Sequence, residues 1–349
     1  MLRHPLNRSE YGLLLLLIPV TSVAMSIGGS GLWLPLMLCA AVLVTPTLPG
    51  RRLTSRSFPV AVAAILSLLL FAAFLFALRK ATGAALLPAA AAVALLLVAA
   101  GVRAAHELLH QIHSPLRVWS GRLLLTLPAL PDWAIGHVPG HHNSAGTDRD
   151  PGSARKGESV YGFCLRFTVT GWSAAWRLEA ARLRRGTGRR SLHHLFTLTL
   201  LTAAWPLVAW AAAGWRGVAG WAIVALLSRF LLAASCYART YGLVRDPRRP
   251  VDVWHFRYGG PGGDGGQLFA PAGHPVPGDP PPGQDGLPVL PAGGLACVLL
   301  SLVPPLWRRI MHPLLAEWER SYHPVLRTFK ERPARMPISE AVKNVKVHP

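Results

Sequence analysis

Paired cysteine, acidic side chains and lysine are what this chain has least of. Its four cysteines, Cys39, Cys164, Cys236 and Cys297, lie far apart and form no CxxC pair. That excludes both a disulfide framework and a zinc knuckle. Acids number 16 against 36 Lys and Arg, which leaves a formal charge of +20. The excess is arginine, because Lys occurs only at 80, 156, 330, 343 and 346. Charged residues reach 15% in total, against about a quarter in a soluble domain. Basicity on this scale raises the question of nucleic acid, but no basic helix with interleaved aromatics is present. Basic loops facing anionic lipid account for it, and no nucleic-acid partner is expected.

What the chain does have is long apolar runs, and a helical span needs roughly 20 such residues. The runs are Tyr11–Ile27, Leu32–Leu48, Phe58–Leu78, Ala84–Val102, Phe196–Trp215 and Ala219–Tyr237. They predict an all-α polytopic membrane protein with about six spans. Arg3 and Arg8 before the first run resemble a signal peptide, but the run is long and lacks a clear small-residue cleavage site, so a retained span is expected. Arginine concentrates before residue 11, at 51–57, at 103–195 and after 238. By the positive-inside rule these stretches are cytoplasmic, and both termini with them. The expected location is a bacterial inner membrane.

The polar stretch 103–195 contains one shorter apolar segment and one amphipathic one. Leu116–Leu130 carries Arg117 and Arg122 and predicts a re-entrant or interfacial helix, with Trp119 and Trp133 at headgroup level. Trp172–Arg190 is basic and amphipathic, which suits a helix lying on lipid phosphates. His193 and His194 precede the fifth span and read as interfacial residues. After the sixth span, Gly259–Gly266 cannot hold a helix or strand. Pro275–Pro291 is also Pro- and Gly-rich, a loop composition. The glycines have no following Lys-Ser/Thr, so they do not form a phosphate loop. Three parts follow: 1–258, a membrane unit; 259–294, a Gly/Pro-rich loop; and 295–349, a cytoplasmic segment. In the last, Leu299–Trp307, interrupted by Pro304-Pro305, is expected to pack on the membrane unit.

The chemistry-bearing residues are histidines. His106-Glu107-Leu108-Leu109-His110 places two imidazoles four apart, on one helix face. The stretch from His137 to His142 adds His137, His141 and His142. Neutral imidazole is the commonest nitrogen ligand for zinc and iron. HExxH alone suggests a zinc hydrolase with Glu107 as base. Five imidazoles exceed the three protein ligands of a catalytic zinc, however. Two metals fit better, and a di-iron centre is the expected form, with one metal or none if the site is incomplete. Pro139 is expected to break helical continuity inside the second box.

With these boxes the chain resembles the integral-membrane alkane 1-monooxygenases, within the wider fatty acid desaturase/hydroxylase superfamily. The first box is matched by His106 and His110. The second is matched by His137, Gly140, His141 and His142, followed by Thr147, Asp150, Pro151, Ser153, Arg155, Gly157 and Glu158. Leu290-Pro291 and Pro304-Pro305-Leu306-Trp307-Arg308 resemble the family's tail. The resemblance implies iron as cofactor, a lipid-soluble alkane or acyl substrate, and hydroxylation with O2. It implies electrons from a separate rubredoxin or ferredoxin, because no rubredoxin-type cysteine quartet is present. The ligand set it implies is His106, His110, His137, His141, His142 and His274.

The match is incomplete after the sixth span. Where the family carries an acid and a histidine, this chain has Arg239 and Thr240. Its third box retains only His274, and the acid before the second box is Gly136. His113, His255, Asp148 and Asp150 are available as substitutes but read as structural or solvated. A non-catalytic family member that binds lipid or a protein partner is therefore the alternative. An intramembrane protease using His106, Glu107 and His110 ranks last, for want of a third-ligand Asp motif.

Overall fold

Apolar segments satisfy their own backbone N–H and C=O groups only as helices when no water is at hand. The computed structural model describes residues 17–23, 57–80, 83–185, 193–244, 289–292 and 294–321. Every element among them is helical. Three helical stretches are long and apolar enough to cross a membrane: Val60–Ala77, Leu86–Leu109 and His194–Thr240. Residues 17–23 of the first expected span are helical, and the second expected span lies outside the described residues.

Helix α1 is Ser57–Ala77. Its buried Ser67 hydroxyl donates to the Ala63 carbonyl one turn back (2.7 Å), which satisfies it inside the apolar surround. Helix α2, Gly83–Leu96, runs into a π-helical turn at Leu97–Val102 and then into α3, Arg103–Leu109. Gly101 lies against α1 here, since a Cβ on it would sit 3.0 Å from Ser67 Oγ. α4, Pro115–Leu124, begins with Pro at its first turn and folds back on α3. Gly121 makes that approach possible: a Cβ would lie 2.8 Å from the Ala105 carbonyl oxygen.

α5, Pro131–Gly136, leads into a second π-helical turn, His137–His141, and a short turn of helix at His142–Ser144. Pro139 therefore does not break the chain's helical course, contrary to expectation. The wider π turn accommodates the ring that an α-turn would exclude. α6, Val160–Arg184, is capped by the Ser159 hydroxyl, which accepts from Gly162 N. It begins well before the predicted amphipathic stretch at Trp172.

α7, His194–Thr240, has 47 residues. Straight, it would measure about 70 Å, more than twice a bilayer core of roughly 30 Å. It is not straight. Ala213 has φ −146° and Gly214 has φ +60° and ψ −148°, a combination open to glycine alone. Gly217 then packs against the Ala209 carbonyl, so the two limbs double back as a hairpin. The limbs are the expected fifth and sixth spans, but the chain turns at Ala213 and Gly214, inside the expected fifth run, rather than between Trp215 and Ala219. Arg79, in the turn after α1, donates to the Ala212 carbonyl (2.6 Å). The 78–80 turn and the hairpin tip thus share one end of the helix bundle, and α3 with its histidines is at the other.

α8, Gly294–Ser301, packs on α7, and α9, Pro304–Ser321, follows it. The two prolines open α9 instead of interrupting an apolar stretch. Trp307 is fully buried between Tyr237 and Tyr241, with ring centroids 5.8 Å from each.

Candidate metal centre

Each box is held by a different piece of helix. α3 continues the apolar run from Leu86, and its last turn carries His106, with His110 capping it. His137 opens the π turn after α5 and His142 follows it. That turn is fixed to the last span by Asp132, whose carboxylate takes two bonds from Arg229 of α7 (2.5 and 3.1 Å). The same guanidinium donates to the Ala129 carbonyl (2.9 Å).

The four rings form a closed quadrilateral. Centroid separations along its edges are 4.6 Å for His106–His110, 4.7 Å for His110–His142, 4.7 Å for His142–His137 and 4.6 Å for His137–His106. One ligand atom from each residue can be chosen so that all four lie within 4.8 Å of one another. His137 Nε2 is 3.4 Å from His110 Nε2 and 3.1 Å from His142 Nε2. His106 and His137 are buried, while His110 and His142 are partly open. Burial, reinforced by His106, His142, His141 and His110, pushes the His137 imidazole well below its ordinary pKa. His137 is thus neutral at neutral pH, the form that binds metal.

His141 stands beside this group. Its ring is 5.7 Å from His137 and 5.8 Å from His142, and its Nδ1 is 2.8 Å from Asp150 Oδ2. Asp150 also accepts from Ser153 Oγ (2.6 Å) and Gly152 N (3.0 Å). Burial alone would raise the Asp150 pKa, but His141 and these donors outweigh it and hold the carboxyl below its ordinary range. Gly152 has no room for a side chain, since a Cβ would lie 2.8 Å from His141 Nδ1.

Four of the six expected ligands converge, His141 adjoins them, and His274 lies outside the described residues, as does His255. His113 and Asp148 are exposed and stand apart from the group. Asp150 is a buried partner of His141. Trp133 corrects the expectation of a headgroup anchor: it is buried and stacked on His137, with centroids 4.3 Å apart. Thr240 donates to the Cys236 (2.8 Å) and Gly152 (3.1 Å) carbonyls as alternatives and accepts from Ala154 N (3.0 Å). Its hydroxyl holds the loop that carries Asp150. The Asp132–Arg229 pair was missed, although an arginine inside an otherwise apolar span is itself a signal.

The donor set fits a transition metal: imidazoles only, with nitrogen spacings close to those on a single ion with metal–nitrogen bonds of about 2.0–2.1 Å. An all-helical chain with membrane-length apolar helices and a polyhistidine cluster at the end of one defines a class of helical membrane protein with an interior histidine site. Within that class the chain belongs to the fatty acid desaturase family, whose model matches residues 81–259, just over half of it. It is 31% identical to alkane 1-monooxygenase 1 of Pseudomonas aeruginosa over 234 residues, covering 62% of this chain and 60% of that protein. It is 28% identical to alkane 1-monooxygenase 2 of Alcanivorax borkumensis over 234 residues, 60% of this chain and 58% of the relative. The hydroxylase component of xylene/toluene monooxygenase from Pseudomonas putida is 28% identical over 240 residues, 62% of this chain and 61% of its own length. The chain thus spans about 60% of the length of the relatives it matches.

Proposed function

We propose that this chain is a non-haem iron monooxygenase of the membrane, oxidising an alkane or fatty acyl chain with O2. The observation that carries the reading is the convergence of His106, His110, His137 and His142 at the end of an apolar helix running from Leu86 to Leu109. Bound there, iron supplies O2 activation and the oxidising power to attack an unactivated C–H bond. The chain's own residues hold that centre. α3 and the π turn aim the imidazoles, Trp133 covers one face of His137, and burial keeps His137 neutral. A substrate dissolved in lipid would approach along the apolar helices that lead to the site. The proposal includes six spans, both termini in the cytoplasm of a bacterial inner membrane, and electrons from a separate rubredoxin or ferredoxin. Named relatives that are alkane and xylene/toluene monooxygenases support it.

The test is purified protein in lipid nanodiscs, loaded with ferrous iron and given medium-chain alkanes and fatty acids, a ferredoxin or rubredoxin system and 18O2. The expected result is 18O-labelled alcohol by mass spectrometry, abolished in His110→Ala. Iron-loaded protein that labels no substrate would count against the enzyme. A second reading, a family member that binds metal or lipid without turnover, is favoured by one observation. The last span presents Thr240, bonded to the Gly152 and Ala154 backbone, where its relatives are expected to offer an imidazole.

A further inference from the structure

We propose that Trp133 is a positioning residue of the histidine group: its indole plane sets how the His137 imidazole is turned, and so where His137 Nε2 is aimed. The proposal rests on reading the cluster as a metal site and says how one of its rings is held. A ligating histidine normally gives its second ring nitrogen to a carboxylate, a carbonyl or water, and that bond fixes the ring's orientation. His141 has such a bond, with Nδ1 2.8 Å from Asp150 Oδ2. His137 is held differently. Its ring enters the group through Nε2, which is 3.4 Å from His110 Nε2 and 3.1 Å from His142 Nε2. Its Nδ1 is buried and, among the described residues, meets no hydrogen-bond partner. The outer torsion of a histidine side chain has broad minima, so packing has to set it.

The packing at His137 is flat. Trp133 and His137 are stacked, with centroids 4.3 Å apart and planes 29° from parallel. The contacts of His137 with His106, His142, His110 and His141 are longer, at 4.6, 4.7, 5.4 and 5.7 Å. Turning the imidazole about its Cβ–Cγ bond would drive a ring edge into the indole. Trp133 also lies 6.1 Å from the His106 ring, at 30°, so one indole backs a histidine from each box. The indole is itself fixed. Asp132, the residue before it, takes two bonds from Arg229 of the last span. Gly171 lets α6 close on that carboxylate, since a Cβ there would lie 3.2 Å from Asp132 Oδ2. An indole N–H only donates and offers a metal no lone pair. Trp133 therefore acts through His137, not on the ion.

The experiment is a cobalt(II) titration of metal-free, full-length protein in detergent, followed by the visible d–d bands of the bound ion. Trp133→Phe keeps a flat ring, while Trp133→Leu and Trp133→Met keep apolar bulk without one. Trp205→Leu is the control, removing a ring of the same size that packs edge-on against Phe71. Losing an outer contact of a metal ligand costs about 10- to 100-fold in affinity. A loss of that size is expected in Trp133→Leu and Trp133→Met, with shifted bands. Trp133→Phe and Trp205→Leu should keep the wild-type affinity and spectrum. Unchanged binding in the Leu and Met variants would overturn the inference. So would a Phe variant as weak as they are, or equal weakening in the control. If neither the Leu nor the Met variant elutes as a folded species, Trp133 is a core residue and the inference fails. Cobalt binding that depends on the Trp133 ring, without substrate oxidation by the iron form, would sink the proposed activity and leave this inference standing. Labelled product with cobalt affinity indifferent to Trp133 would do the reverse. Wild-type protein that takes up no cobalt would overturn both.

Discussion

At the scale of single residues, the centre depends on polar groups that are bonded away from solvent. Glu158 illustrates how. Its carboxylate accepts from Arg166 Nε (2.7 Å) and Nη2 (2.8 Å) and from Arg155 N (3.0 Å), and its carbonyl accepts from Tyr237 of the last span (2.7 Å). Burial works to raise its pKa, but the Arg166 and Arg155 bonds prevail and lower it. A carboxyl depressed in the folded state adds stability above its unfolded value of about 4.3. That stability is lost as pH falls through the folded value. Glu158→Gln should therefore lower stability at pH 7 by about 1–3 kcal/mol. The gap to wild type should close below about pH 4. Thermal unfolding of both proteins in detergent across pH 3–8 measures this, and a gap that is flat with pH would refute the assignment.

At the scale of elements, the histidine-bearing turn is held to the last span by a buried ion pair. Asp132 on α5 and Arg229 on α7 meet in a two-bond arrangement, and both side chains are largely buried. Removing one partner from such a pair costs roughly 3–5 kcal/mol, because a charge is left unpaired. Replacing both with apolar residues of similar volume is often close to neutral. Asp132→Leu is thus expected to be strongly destabilising, and the double variant with Arg229→Met to recover most of the loss, as read by thermal unfolding. Absence of recovery would mean that the pair also orients the turn. The two boxes differ in how legible they were. His106 and His110 could be placed on one helix face from spacing alone. The second box could not be placed, because Pro139 signals a break in α-helix and gives no hint of the π turn that the chain adopts.

At the scale of the whole molecule, arginine distribution and helix geometry make independent statements about sidedness. The bond from Arg79 to the Ala212 carbonyl places the 78–80 turn beside the hairpin tip, at the end of the bundle away from α3 and its histidines. The positive-inside rule assigns the arginine-rich histidine side to the cytoplasm. Single cysteines at Lys80 and Lys156, in a background without native cysteines, test the orientation with a membrane-impermeant maleimide. Lys80→Cys should label in intact spheroplasts and Lys156→Cys only after permeabilisation. The reverse pattern would invert the proposed topology.

Composition and periodicity by themselves determined the helical class, the apolar runs and the two histidine boxes, because hydropathy and i, i+4 spacing are local properties. The resemblance to a family, a separate source, marked Arg239 and Thr240 as departures from its pattern. Only the tertiary structure decided what those residues and their neighbours do. Trp133 looked like a headgroup anchor because tryptophan favours interfaces, but its partner is His137, a contact that no local rule encodes. Asp150 read as structural or solvated, and the tertiary structure makes it structural, a clamp on His141. Arg229 lies inside an apolar run, and its partner Asp132, 97 residues away in sequence, is brought to it only by the fold. Four imidazoles closed into one group, with the fifth beside it, because two helix ends and a π turn were packed against the last span.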